Sequence, residues 1–86
     1  MPNIIVYSTA YCPYCVRAKQ LFERKGVEYQ EFMVDSDPKL MQEMIERSQR
    51  RTVPQIFIND QSIGGYDELA HLDIQGKLDS LLELNM

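Results

Sequence analysis

With 86 residues, 44% of them hydrophobic, the chain is the size of one small domain that can bury a core without cross-links. A net charge of −4 supplies no basic field for nucleic acid or an anionic membrane, which leaves small molecules and proteins as the expected partners. The opening MPNIIVYSTA lacks the basic flank and long apolar stretch of a secretory leader, and no apolar run reaches the ~18 residues of a membrane span, so a reducing cytoplasm is the expected compartment.

Residues 3–8, NIIVYS, form a short apolar run rich in branched side chains, the pattern of a buried strand. A helix follows from Pro13: Cys15, Ala18, Leu21 and Phe22 recur at helical spacing, proline suits the first turn, and Gly26 supplies a stop. Residues 27–34, VEYQEFMV, predict a second strand, which the right-handed βαβ crossover sets parallel to the first. Asp37 and Pro38 open a second helix whose Leu40, Met41, Met44 and Ile45 make one apolar stripe, read as core packing. Residues 55–59 and 61–63 flank a polar turn at Asp60 and Gln61, which predicts a hairpin and hence a mixed sheet. After Gly64 and Gly65, Asp67 is placed to cap a short helix, and Ile74, Leu78, Leu81 and Leu82 mark a last helix interrupted only by Gly76. His71, alone in the short helix, reads as a surface or packing residue. Nothing divides the chain, so residues 1–86 are expected to form one α/β domain.

Cys12 and Cys15 are the only cysteines. Standing at i and i+3 at the start of a helix, their Cβ atoms lie roughly 5 to 6 Å apart, so a disulfide can open and close after small adjustments. As a staple the pair does little, because a four-residue ring contributes about 2 kcal/mol against ~3 for fifteen residues. A closed zinc site within one chain lacks ligands, with only these cysteines and His71 to draw on, although a site shared between two chains stays open. A redox pair is the reading that this spacing beside a βαβ pattern favours. The attacking sulfur is then Cys12, at the helix edge where free N–H groups and the dipole stabilise a thiolate. Cys15, one turn inside on the apolar face, is the resolving thiol.

CPYCVRAK at 12–19, TVPQIFI at 52–58 and GGYDEL at 64–69 occur in order, and with them the chain resembles a dithiol glutaredoxin over residues 3–84. The resemblance implies a thioredoxin-like fold, a four-stranded mixed sheet flanked by helices, with no metal, no tightly bound cofactor, and glutathione as reducing co-substrate. It implies a monomer that acts on disulfide-bonded or glutathionylated proteins. It also implies a cis bond between Val53 and Pro54, following Thr52, that turns the backbone of Val53 toward Cys12 to hold the cysteine of glutathione in strand-like pairing. Gly65 would let the ligand approach the backbone. The helix start after Tyr66 would take the γ-glutamyl carboxylate, with Asp67 on its ammonium. Arg51 would meet the glycine carboxylate in a charge-assisted contact, and Tyr14, Val53 and Tyr66 would wall the site. Thr9 departs from the family, many members of which carry lysine there; Arg17 and Lys19 replace that cation only in part.

On this reading Cys12 alone removes glutathione from protein mixed disulfides, whereas protein disulfides need Cys12 and then Cys15. Three rivals stay open. They are a donor re-reduced by a flavoprotein reductase, an iron–sulfur carrier holding a cluster between two chains, and a redox-inactive binding domain.

Overall fold

The structure, a computed structural model, describes residues 2–84. In chain order its elements are β1 (Ile4–Ser8), α1 (Pro13–Arg24), β2 (Gln30–Met33), α2 (Pro38–Ser48), β3 (Gln55–Ile58), β4 (Gln61–Gly64), α3 (Tyr66–Ile74) and α4 (Lys77–Leu81). The strands make one sheet in the order β2-β1-β3-β4, with β2 parallel to β1 and the other neighbours antiparallel. The expected four-stranded mixed sheet is therefore present. Among the described residues no helix is long and apolar enough to cross a membrane.

The burial of β1 and β3 follows from their central places. Ile4 and Val6 join Ile56 and Ile58 on one face, where Ala18, Leu21 and Phe22 of α1 pack with Leu69, Leu78 and Leu82. Ile5, Tyr7 and Phe57 point to the other face and meet Met44 of α2, with Leu40, Met41 and Ile45 packed around it. The period-2 alternation of a strand thus distributes one apolar run between two cores. Across the second face, the Tyr7 hydroxyl donates to Glu43 at 2.8 Å and accepts from Arg47 at 2.9 Å, which ties α2 to the sheet.

Four boundaries differ from the sequence expectation. The second strand begins at Gln30, not at residue 27, because the Val27 N–H still donates to the Phe22 carbonyl at the end of α1, and pairing with β1 starts at Ile5 and Gln30. The hairpin turn falls at Asn59 and Asp60, both with positive φ, as a two-residue primed turn requires. Gln61 accordingly belongs to β4, which continues to Gly64. At the C-terminal end, Gly76 at φ +76° separates two helices, leaving Ile74 84% exposed and outside the buried stripe. Lys25 then bridges Asp73 and Asp79, both at 2.7 Å, and joins the end of α1 to the two helices.

Candidate active site

Cys12 is the N-cap of α1, with extended backbone and Pro13 as the first helical residue. Its Sγ accepts the N–H of Cys15 at 3.1 Å, so a donor left free by the helix start is aimed at this sulfur. Cys12 is half-buried and Cys15 fully buried, both as free thiols. Burial pushes the Cys15 thiol up to about 12, and the hydrogen bond with Cys12 adds to the rise; the Thr9 backbone and the charge of Lys19 oppose it. Lys19 is itself anchored on Glu31 at 2.6 Å, and the buried Ser8 hydroxyl donates to the same carboxylate oxygen at 2.6 Å. Next to them the active-site loop is tied to the rest of the chain by the Ala10 N–H, which donates to Asp35 at 3.0 Å.

The segment before β3 approaches Cys12 from the side. Val53–Pro54 is a cis peptide, and the Cys12 thiol donates to the Val53 carbonyl at 3.8 Å. Gln55, buried in β3, reaches back with Nε2 to the Thr52 carbonyl at 2.9 Å and the Thr52 hydroxyl at 3.2 Å. A polar residue in a central strand is thereby used to brace the turn. Its Oε1 is buried without a hydrogen-bond partner.

The start of α3 supplies the opposite wall. Gly64 adopts φ +110°, Gly65 is the N-cap and Tyr66 the first helical residue. Asp67 is therefore not the cap, as the sequence predicts, but the second helical residue. Glu68 closes the helix start instead: its Oε1 accepts the Gly65 N–H at 2.6 Å and lies 3.3 Å from Nη1 of Arg50. That backbone bond outweighs partial burial, and with Arg50 it holds the Glu68 carboxyl below its ordinary 4.5. The Tyr66 and Tyr14 rings stand 6.2 Å apart across the mouth, with the Arg17 guanidinium 5.3 Å from the Tyr14 ring centre.

Between these walls is an open cavity of about 290 Å³. Its lining gathers the expected Tyr14, Thr52, Val53, Pro54, Gly65, Tyr66 and Asp67. Arg51 is exposed and outside that lining; Arg50, which the sequence reading passes over, is inside it with Glu68. The chain leaves α2 through Gln49 in a left-handed conformation, and it is Arg50 that meets α3. His71 is exposed, and Thr9 puts no cation beside the cysteines. The arrangement offers a half-buried sulfur at a helix start, a sheltered second sulfur, and an adjoining polar cavity between the Thr52–Pro54 segment and the start of α3.

A family model described as glutaredoxin matches residues 4–63. Glutaredoxin 3 of Escherichia coli K12 is 52% identical over 83 residues, which are 96% of this chain and all of the relative. A glutaredoxin of Pseudomonas aeruginosa is 50% identical over 82 residues, covering 95% and 98% of the two chains. Among solved structures, a buckwheat glutaredoxin–glutathione complex superposes with a TM-score of 0.88 at 33% identity, covering 95% of this chain and 77% of the other. A glutaredoxin from Brucella melitensis gives 0.82 at 51% identity, covering 93% and 87%.

Proposed function

The chain belongs to the glutaredoxin family and is a thiol–disulfide oxidoreductase, and from that premise we propose that glutathione is its reductant and Cys12 its attacking sulfur. The observation that carries this reading is the place of Cys12: a helix N-cap whose Sγ accepts an N–H and lies against Val53. The adjoining cavity supports glutathione as the ligand, and the buckwheat relative is a glutathione complex.

In the one-cysteine route, the Cys12 thiolate attacks the glutathione sulfur of a protein–glutathione mixed disulfide. The protein thiolate leaves and takes a proton, and the glutathione stays on Cys12. A second glutathione thiolate attacks the glutathione sulfur of this Cys12–glutathione disulfide, so that oxidised glutathione forms and Cys12 leaves as the thiolate. In the two-cysteine route, Cys12 opens a protein disulfide and Cys15 then attacks Cys12. The substrate dithiol departs, carrying the proton lost from Cys15, and two glutathiones reduce the Cys12–Cys15 bridge.

Tyr14 and Tyr66 are the walls for glutathione in this reading, and Thr52, Val53 and Pro54 face its cysteine. Gly65 admits its γ-glutamyl end and Asp67 pairs with the ammonium there. Arg51 lies outside the cavity, so the assignment of a carboxylate passes to Arg50. The protein acts in the cytoplasm as a monomer on glutathionylated or disulfide-bonded proteins. The test is turnover of a glutathionylated protein thiol with glutathione, compared with turnover fed by thioredoxin reductase. Turnover with the reductase alone overturns the assignment of glutathione as reductant.

A further inference from the structure

Glu68 is held at two places of unequal strength. Its bond from the Gly65 N–H is short, 2.6 Å, and fixes the carboxylate to the start of α3. Its contact with Arg50 is 3.3 Å, longer than the 2.7–2.9 Å of a firm charge-assisted bond, between side chains 48% and 44% exposed. An exposed pair of this kind contributes little and separates readily. Arg50 is also the only cation among the described residues that line the cavity, whereas Asp67 and Glu68 are both acidic. A ligand carrying carboxylates thus finds one guanidinium, already shared with a protein carboxylate.

We propose that Glu68 is a built-in stand-in for a ligand carboxylate: on binding, a carboxylate of glutathione replaces Glu68 at Arg50, while Glu68 stays on the Gly65 N–H. This specificity role rests on the glutathione reading above. It follows from the geometry that Glu68 weakens ligand binding by competing for Arg50, although it stabilises the helix start. The planar guanidinium can form two parallel bonds to an incoming carboxylate, where Glu68 has one long contact. Neither side chain contacts a cysteine sulfur, so the exchange acts on KM and leaves kcat in place.

The test is a double-mutant cycle on glutathione-dependent turnover. Glu68→Gln keeps an oxygen for the Gly65 N–H and removes the competing charge; KM for the glutathionylated substrate falls about two- to fivefold, the scale of an exposed ion pair. Arg50→Gln raises KM, and Arg50→Lys restores part of the loss. In the Arg50→Gln background, Glu68→Gln leaves KM unchanged, because the competitor then has nothing to compete for. A Glu68→Gln effect of equal size in both backgrounds overturns the exchange, since it reports only a less negative surface. Turnover that proceeds with KM unmoved by Glu68→Gln also overturns it, while leaving the glutathione reading intact. Absence of glutathione-dependent turnover in the parent protein overturns that reading and the exchange together.

Discussion

The backbone N–H of Cys15 donates to the Sγ of Cys12 across 3.1 Å, so the sheltered residue supports the exposed sulfur through its main chain in addition to the contact its thiol makes. The distinction has a consequence for mutation. Cys15→Ser removes the resolving thiol but keeps the donor, so deglutathionylation persists while protein-disulfide reduction is lost. Cys12→Ser abolishes both. Steady-state assays with a glutathionylated thiol and with a protein disulfide measure the two arms; loss of the first in a well-folded Cys15→Ser protein would sink the one-cysteine route.

Burial, with the Cys12 contact second, carries the Cys15 thiol from 9.0 up to about 12. The folded protein therefore holds this proton more tightly than the unfolded chain does. The associated stability is whole below about pH 9 and is lost as pH rises toward about 12. Tyr29, raised to about 12 chiefly by burial, acts in the same direction and persists in any cysteine variant. The difference between parent and Cys15→Ala melting temperatures isolates the thiol: it narrows across this window. A difference that stays constant with pH would contradict the assignment. Alkylation of the reduced parent at neutral pH modifies Cys12 first, and Cys15 reacts only on strong alkalinisation or unfolding.

Most elements were legible in the sequence because apolar periodicity reports burial directly. The branched run at residues 3–8 and the Cys15, Ala18, Leu21, Phe22 spacing are consequences of facing a core, and both form as expected. What periodicity does not carry is the partner of each polar group. Residues 27–29 have strand composition, yet their pairing starts only where β1 is within reach. Asp67 has the side chain of a good cap, but Glu68, three residues after Gly65, reaches the N-cap N–H and moves the helix start forward. That spacing of an acidic residue was the signal available in GGYDEL.

The candidate cavity was legible to a similar depth, and the differences between its lining and the sequence expectation have a similar cause. The TVP and GGYD segments line one cavity and Cys12 meets Val53 beside it, because each motif is a local backbone device. Choosing between Arg50 and Arg51 depends on how Gln49 turns the chain out of α2, and two adjacent arginines look alike in a sequence. Gln55 could be suspected only as a polar residue in an otherwise apolar strand. Its bonds to Thr52 span the Val53–Pro54 turn, and apolar periodicity does not report such a pairing.

Asp67 is exposed and makes no cap, so replacing its charge separates binding from folding. Asp67→Asn shifts stability by less than about 0.5 kcal/mol, as expected for an exposed position without a special role. If the carboxylate meets the ammonium of glutathione, KM rises roughly two- to fivefold, the worth of an exposed ion pair. Denaturant melts and substrate titrations on the same preparation check both halves. An unchanged KM would remove Asp67 from the binding site.

Gly64 is the residue on which the geometry of the α3 wall depends. Its φ of +110° lies where side-chain-bearing residues are strained, and an added Cβ would stand 2.8 Å from Oε1 of Glu68. Relief by moving Glu68 would break the short bond to Gly65, so both routes of accommodation cost something. Gly64→Ala is expected to lose about 1–3 kcal/mol, the usual scale for backbone held in a disfavoured region. Moving Glu68 also releases Arg50, so the variant changes KM as well as the melting temperature, unlike a loss confined to the core. A Gly64→Ala protein that melts like the parent and binds substrate equally well would show that the wall does not depend on Glu68 standing where it does.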